Sequence, residues 1–157
     1  MAKGKAEELS SSIEDYLEAI GSLEKENRVA RVKDIAERLD VQMPSVTGAL
    51  KVLRGKGLVN YERNSYITLT EEGLKIADSI SLKHKRLAKF LREVLLLSPE
   101  KAQDEACQIE HAVSEETVAR LMRLMEFYEE NYVDSKKDGA SQHWKDIIQG
   151  KKSTPGS

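Results

Sequence analysis

The sequence predicts a mainly α-helical protein, in which an N-terminal winged helix-turn-helix with a small β-hairpin wing precedes an all-helical domain. Three observations support this fold class. Apolar residues recur at the helical period along most of the chain, two short helical segments are separated by a tight break, and two β-prone segments follow them. With only 9 glycines and 3 prolines in 157 residues, the chain lacks the turn residues of an all-β fold.

Composition argues against several classes of protein. No apolar run reaches the length of about 18 residues that a membrane-spanning helix needs. The N-terminal residues contain no apolar segment of the kind found in secretory signals. A single cysteine cannot form an internal disulfide. We therefore expect a protein of the reducing cytoplasm that has no membrane partner.

Charge is distributed unevenly, although the formal net charge is only −2. Residues 28–65 contain eight Lys or Arg against four acidic residues, a net of +4. Residues 99–138 contain five Lys or Arg against eleven acidic residues, a net of −6. Solvated helices carry charge in any protein, but this asymmetry also fits a nucleic-acid-binding region followed by a cation-binding region.

The first helix is expected to follow a polar tail at residues 1–10 and to begin at Ser11 or Ser12, either of which can cap it. Its apolar positions are Ile13, Leu17, Ile20 and Leu23. Asp15 and Glu18 lie three residues apart on a polar edge of this helix. They form either a solvated acidic surface or part of a cation site.

Residues 32–55 follow the pattern of a helix-turn-helix. Val32–Leu39 is a short amphipathic segment, Asp40–Met43 is a tight break, and Pro44 suits the first turn of a second helix. Ala36 is a small residue at the point where the two helices would pack. The second helix is therefore predicted to be a recognition helix, whose N-terminal part meets base edges in the major groove of DNA.

Two β-prone runs follow this helix and flank the turn-forming residues 63–65, which predicts a hairpin in the position of a wing. Helix-turn-helix and wing together predict a DNA-binding domain at residues 1–73. Small polar and cationic side chains in and around the recognition helix are expected to contact bases and phosphates. The candidate DNA-binding residues are Arg31, Gln42, Pro44, Ser45, Thr47, Lys51, Arg54 and Arg63.

Cys107, Glu110 and His111 lie at positions i, i+3 and i+4 of a helix that is predicted to begin after Ser98. A thiol, a carboxylate and an imidazole at this spacing leave one face of a helix and can converge on one metal ion. A lone cysteine is also commonly a small buried apolar residue, so the spacing alone leaves both interpretations open. Earlier, His84 lies in a long connecting helix that is predicted after Thr70, and basic neighbours fit an ordinary surface histidine there.

The C-terminal part is predicted to be helical, with a second domain at residues 74–149 and a disordered tail at 150–157. Ser114 can cap a helix whose apolar stripe is either core or a dimer interface. The stripe consists of Val118, Leu121, Met122 and Met125. Dimerisation is expected because winged-helix repressors usually read two half-sites related by two-fold symmetry.

From about Ser12 to about Glu130 the sequence resembles the diphtheria toxin repressor family, and especially its short manganese-regulator branch. The matching segments are Glu14–Glu18, Asp34–Leu39, Pro44–Thr47, Leu69–Gly73, Lys83–His84, Asp104–Cys107 and Ile109–His111. The resemblance implies a metal-activated repressor that binds double-stranded operator DNA as a homodimer and controls metal-uptake genes. It implies that the second domain binds metal and dimerises. The implied metal ligands are Asp15, Glu18, His84, Cys107, Glu110 and His111.

The implied ligand set mixes two kinds of chemistry. Asp15 and Glu18 resemble the manganese-type members, which have a carboxylate in place of Cys107, whereas iron-type members have a thiol there. Oxygen ligands suit Mn²⁺, and a thiolate shifts preference toward Fe²⁺, Co²⁺, Ni²⁺ or Zn²⁺. We expect a slight preference for Fe²⁺ over Mn²⁺, with Zn²⁺, Co²⁺ and Ni²⁺ also binding in vitro. Ala88 and Gln103 stand where longer iron-responsive members have further ligands of an ancillary site.

Two other functions are compatible with parts of the sequence. A winged-helix regulator could respond to a small organic ligand, in which case metal chelators would leave its DNA binding unchanged. A metalloenzyme could use Cys107, Glu110 and His111, but the sequence contains no recognisable general-base motif and no Gly-rich substrate loop. We therefore expect no enzymatic activity and no organic substrate.

Overall fold

The computed structural model describes residues 9–62, 66–133 and 140–151 of the chain. These residues form a mainly helical protein with one small antiparallel hairpin, as predicted. They fall into two compact units, one ending at Ser81 and the other beginning at Leu82. Within the described residues, no helix combines the length and apolarity needed to cross a membrane. Most of the two predicted tails lies outside the described residues.

The first unit contains a helix-turn-helix followed by the hairpin. Its elements are α1 (Ser11–Asn27), α2 (Val32–Leu39), α3 (Met43–Gly55), β1 (Val59–Asn60), β2 (Thr68–Leu69) and the first part of α4 (Glu71–Glu93). The first short helix, α2, has the bounds expected from its apolar period. The second, α3, begins at Met43, which was predicted to be the last residue of the break, and Pro44 lies in its first turn as expected. Their buried faces meet α1 in one apolar core, in which Leu17, Ile20, Ile35, Leu50 and Leu53 are fully buried. Hydrophobic burial therefore determines which face of α3 points outward.

The hairpin is anchored to the helices through the backbone. Val59 pairs with Leu69 and Asn60 with Thr68, and an isolated bridge joins Ala30 to Ile67. The Leu69 amide donates to a carboxylate oxygen of Glu24 on α1 at 2.9 Å. This bond satisfies a backbone group at the end of a two-residue strand, where little ladder is available. The turn predicted at residues 63–65, including Arg63, lies outside the described residues.

An ion pair connects α1 with α2. The Arg38 guanidinium donates to both carboxylate oxygens of Glu26 at 2.6 and 2.9 Å, and to the Ser22 hydroxyl at 2.7 Å. The hydrogen bonds from Arg38 lower the pKa of Glu26, because they stabilise its ionised form. The same pair raises the pKa of Arg38.

The start of α4 depends on a close approach between helix and hairpin. The Thr70 hydroxyl accepts a hydrogen bond from the Gly73 amide at 3.1 Å and donates to the Gly57 carbonyl at 2.8 Å. The Leu58 carbonyl accepts from the Thr70 amide, and its oxygen lies where a Cβ of residue 73 would have to be. A side chain at position 73 would overlap this carbonyl, so only glycine fits there.

The second unit contains the remainder of α4, then α5 (Pro99–Glu110), α6 (Glu115–Tyr128), a π-helical turn (Glu129–Val133) and α7 (Ala140–Ile148). Ser98 and Ser114 cap α5 and α6 as predicted, since their hydroxyls accept from Lys101 and Thr117 amides. Leu87 and Leu91 of α4 pack with Ala102 and Ala106 of α5 and Val118 of α6.

The apolar stripe of α6 belongs to the core of this unit. Val118 and Met125 are buried, and Leu121 and Met122 are partly buried against the same clusters. Leu124 and Phe127, which lie off this stripe, are 49% and 57% exposed. The stripe therefore packs into the core of this unit, as one of its two interpretations predicts, and a different pair of apolar residues is left at the surface.

We expect Gly73→Ala and Gly48→Ala to have opposite effects on stability. Overlap with the Leu58 carbonyl should make Gly73→Ala destabilising by about 1–3 kcal/mol. Gly48 lies inside α3 with open space around it, so Gly48→Ala should stabilise by about 0.5–1 kcal/mol. Urea denaturation followed by circular dichroism measures both, and a neutral Gly73→Ala variant would contradict the close approach.

Candidate functional site

One residue on the buried face of α5 is a carboxylate, at a position where the helix pattern predicts an apolar side chain. Ala102, Ala106 and Glu110 follow one another at four-residue spacing, and all three are buried. Glu110 is only 1% exposed and is the one buried charged residue among those the structure describes. A buried carboxylate is costly unless hydrogen bonds or a cation compensate it, so its position indicates a function beyond packing.

Two imidazoles flank the Glu110 carboxylate. His84 Nδ1, from α4, lies 2.7 Å from Glu110 Oε2. His111 Nε2, from the residue that ends α5, lies 3.4 Å from Glu110 Oε1. No hydrogen bond to Oε1 is formed within the described part of the chain. This oxygen is therefore buried, polar and incompletely satisfied, at a point where two potential metal ligands meet.

Lys83 holds the end of α5 in place. Its ammonium group donates to the Glu110 carbonyl at 3.2 Å and lies 3.4 Å from a carboxylate oxygen of Glu115. Carbonyls in the last turn of a helix have no partner within the helix, so a lysine there satisfies one of them and interacts favourably with the helix dipole. Because Lys83 and His84 are adjacent on α4, the contact also maintains the spacing between the two helices.

The other predicted metal ligands lie on two helices, Cys107 on α5 and Asp15 and Glu18 on α1. Cys107 is exposed and lies one turn before Glu110 and His111 on α5, which is helical through Glu110. Asp15 and Glu18 lie three residues apart on α1 in the first unit, and both are half-buried. His84 is not the freely exposed basic histidine that its neighbours suggest, since its side chain is mostly buried against Glu110.

The donor set fits a divalent transition metal. It contains carboxylate, imidazole and thiol groups, which are the side chains that bind Fe²⁺, Mn²⁺ and Zn²⁺. The incompletely satisfied oxygen of Glu110 is the observation that a bound cation would explain, because a positive charge compensates a buried carboxylate more effectively than a neutral neighbour.

The outward face of α3 carries polar and cationic side chains. Ser45, Lys51 and Arg54 are exposed, and Pro44 is exposed in the first turn. Gln42 occupies the position before the helix without capping it through its side chain. Thr47 is half-buried, and its hydroxyl donates to the Met43 carbonyl at 3.1 Å. The arrangement matches a recognition helix that presents its N-terminal turn and a row of cations to DNA.

Arg31 lies at the root of the hairpin, and it contacts an aromatic residue that the sequence pattern does not pair with it. Its guanidinium carbon lies 5.2 Å from the ring centroid of Tyr66, which is 55% exposed. A cation over an aromatic face is attracted to it, so Tyr66 restricts where Arg31 points. The only signal in the sequence was an aromatic residue next to a predicted turn.

Two family models match most of the chain. Residues 8–66 match the N-terminal DNA-binding domain of the iron-dependent repressors, and residues 70–137 match their metal-binding and dimerisation domain. The chain belongs to the diphtheria toxin repressor family of metal-dependent transcriptional repressors. This confirms the resemblance inferred from the sequence motifs.

Individual members of the family are similar along most of this chain. An uncharacterized HTH-type transcriptional regulator of Methanocaldococcus jannaschii is 43% identical over 78% of this chain and 98% of its own length. The HTH-type transcriptional regulator MntR of Bacillus pumilus is 38% identical over 76% of this chain and 83% of its own length. These relatives are regulators rather than enzymes, as expected for this chain.

Solved structures of the family share the fold. A manganese-dependent transcriptional repressor in complex with manganese superposes with a TM-score of 0.67 and 29% identity. The match covers 73% of this chain and 53% of that one, so the chain spans about half the length of this repressor.

We expect Glu110→Gln to leave metal-free protein at least as stable as wild type. Glutamine keeps an oxygen that can accept from His84, while the buried negative charge is removed. Replacing a buried charge by a neutral group of the same shape should raise the free energy of unfolding by up to about 1–2 kcal/mol. The measurement is urea denaturation in the presence of a chelator.

Glu105→Gln on the same helix is the matched control, because it removes an acid that is only partly buried. A large loss of stability in Glu110→Gln alone would contradict this account. It would show that the buried carboxylate already stabilises the metal-free fold through its histidine contacts.

Proposed function

We propose that the protein is a metal-activated transcriptional repressor that senses Fe²⁺ or Mn²⁺, binds operator DNA as a homodimer and controls metal-uptake genes. The observation that carries this proposal is the buried Glu110 carboxylate, flanked by His84 and His111 and left with one oxygen unsatisfied among the described residues. Membership of a family of metal-dependent repressors supports the same function.

The proposed metal ligands are those implied by the family motifs. In the second unit, His84, Glu110 and His111 supply imidazole and carboxylate donors that are already in contact, and Cys107 supplies a thiolate. Asp15 and Glu18 are proposed as further carboxylate ligands from the first unit. When bound, the dication supplies the positive charge that the buried carboxylate requires.

Cys107 is the residue that decides the preferred metal in this proposal. Carboxylates are hard ligands that suit Mn²⁺, whereas a thiolate favours the later transition metals. A site with one thiolate among oxygen and nitrogen donors therefore favours Fe²⁺ slightly over Mn²⁺. Zn²⁺, Co²⁺ and Ni²⁺ should also bind in vitro, because affinity rises along the first transition row.

DNA binding is assigned to α3 and to the root of the hairpin. Lys51, Arg54 and Arg31 supply positive charge for phosphates, while Gln42, Pro44, Ser45 and Thr47 lie near the N-terminal turn that would approach base edges. Arg63 completes the proposed set from the turn that the sequence predicts. Because double-stranded operator DNA is the proposed partner, the protein would act in the cytoplasm, without membrane or organic-substrate partners.

The proposed homodimer needs an apolar surface that is exposed on each protomer. Leu124 and Phe127 lie at i and i+3 on α6 and are strongly exposed. Exposed apolar side chains of this size on one helix face commonly mark a protein interface. They belong to the region that matches a metal-binding and dimerisation domain.

We expect DNA affinity to depend on metal. A fluorescently labelled duplex, selected from random sequences on metal-loaded protein, should bind about 5–150-fold more tightly with Fe²⁺ or Mn²⁺ than with chelator, a typical range for allosteric coupling. Fluorescence anisotropy under anaerobic conditions measures the difference. Cys107→Glu, which replaces the thiolate by a hard oxygen donor, should improve activation by Mn²⁺ relative to Fe²⁺.

Glu105→Gln serves as the control in this titration, because its side chain pairs with Lys101 and is not a proposed ligand. DNA binding that is unaffected by chelator would refute metal activation. Metal-dependent binding with the same metal ranking in wild type and Cys107→Glu would instead refute the role of the thiol.

We expect Lys51→Ala to weaken DNA binding by losing a phosphate contact. The slope of log affinity against log salt concentration should become shallower by about 1, the value for one phosphate contact. Lys75→Ala is the matched control, since Lys75 is an exposed lysine of α4 that pairs with Glu71 at 2.7 Å. Equal slopes for wild type and Lys51→Ala would place the phosphate contacts elsewhere.

A further inference from the structure

The His84 imidazole is contacted at both of its ring nitrogens. Nδ1 lies 2.7 Å from Glu110 Oε2, and Nε2 lies 2.6 Å from Oε1 of Gln103. Both partners belong to α5, whereas His84 belongs to α4. Contacts at two separated points of a planar ring fix both its position and its rotation about χ2.

The two partners differ in what they can share with the ring. Glu110 is buried and carries a carboxylate, so a cation could be bound by this carboxylate and by Nδ1 together. Gln103 is exposed, and its amide oxygen is a neutral acceptor that is suited to a ring N–H. A neutral imidazole has one lone pair and one N–H, and both partners of His84 are acceptors. A cation bound beside Glu110 would take the Nδ1 lone pair, and the single N–H of the ring would then lie at Nε2, where the Gln103 oxygen can accept it.

We propose that Gln103 is a positioning residue for the metal site, which holds the Nε2–H of His84 and leaves Nδ1 as the metal-binding nitrogen. This inference rests on the function proposed above. Metal-bound histidines generally donate their other ring N–H to a nearby oxygen, which fixes the ring and raises its basicity as a ligand. Gln103 provides this oxygen from the helix that also carries Cys107 and Glu110.

Helical spacing explains why one helix supplies both the ligands and this support. Gln103, Cys107 and Glu110 lie at i, i+4 and i+7, so they follow one strip along α5. His84 lies across this strip and contacts its first and last members. In this proposal Gln103 is not a ligand itself but orients the ligand that faces it.

Gln103 is exposed, so its removal should leave the fold and the thermal midpoint of metal-free protein unchanged. If its contact with His84 is an ordinary surface hydrogen bond, metal affinity should also stay unchanged. A positioning role predicts instead that metal affinity and the protonation pattern of one histidine change while folding does not. These two readouts separate positioning from structural support.

The experiment uses full-length protein with ¹⁵N-labelled histidines and Zn²⁺ as the metal, since Zn²⁺ is diamagnetic. Long-range ¹H–¹⁵N spectra report which ring nitrogen carries a proton and which binds metal. The chain has three histidines, so His84 is assigned from the signal that disappears in His84→Gln. We expect Nδ1 of His84 to bind Zn²⁺ and Nε2 to stay protonated.

Zn²⁺ affinity is measured by competition with a chromophoric chelator for three variants. Gln103→Leu should weaken binding by about 10–100-fold, which is the usual effect of losing such a partner. Gln103→Glu should keep binding close to wild type, because a carboxylate also accepts the Nε2–H. Gln108→Leu, an exposed glutamine on the same helix, should leave affinity unchanged.

Two results would overturn the inference and leave metal sensing intact. One is Zn²⁺ bound through Nε2 of His84, and the other is wild-type affinity in Gln103→Leu with Nδ1 still bound. A His84 signal that does not respond to Zn²⁺ in wild type would overturn this inference together with the proposed function. The failures of the two proposals are therefore distinguishable.

Discussion

The contact between Glu110 and His84 is the interaction on which the candidate metal centre depends. It connects α5 to α4 across a core made of small and aliphatic side chains, and it places a charge where the helix pattern calls for an alanine. A buried carboxylate with one unsatisfied oxygen stabilises the fold poorly, because desolvation offsets much of the attraction to its partner. The cost is understandable if the site is selected for binding a cation rather than for stability.

The surroundings of this contact are arranged to keep the donors in place without neutralising them. Lys83 binds the carbonyl of Glu110 rather than its carboxylate, so it supports the helix end while the acidic oxygens stay available. Gln103 contacts the far side of His84, away from Glu110. Cys107 lies one turn earlier on the same helix. One helix therefore presents the proposed ligands and their proposed supporting groups together, which would reduce the reorganisation that metal binding requires.

The DNA-binding unit is built by a separate set of constraints. Burial of Leu50 and Leu53 against α1 determines that the opposite side of α3 faces outward. The hairpin is short, and it is held by the Glu24 carboxylate and by the approach of Leu58 to Gly73 rather than by a long strand ladder. Arg31 and Tyr66 then meet at its root. The unit thus positions its cations through backbone contacts of the hairpin and through the core beneath α3.

Much of this could be read from the sequence, because helical period, capping residues and turn residues act locally. The bounds of α2, the caps Ser98 and Ser114, and the alignment of Cys107 with Glu110 on one helix face all follow from spacing along the chain. Whether the stripe of α6 was core or interface could not be decided in this way, since one periodic stripe serves either role. Nor could Gln103 be paired with His84, or Tyr66 with Arg31, because each pair is separated in sequence and joined only by packing. The sequence by itself determined the elements, the family and the candidate donors. The tertiary structure decided which donors share a buried environment, because burial and contact between helices depend on how distant segments pack, and local spacing carries no information about that.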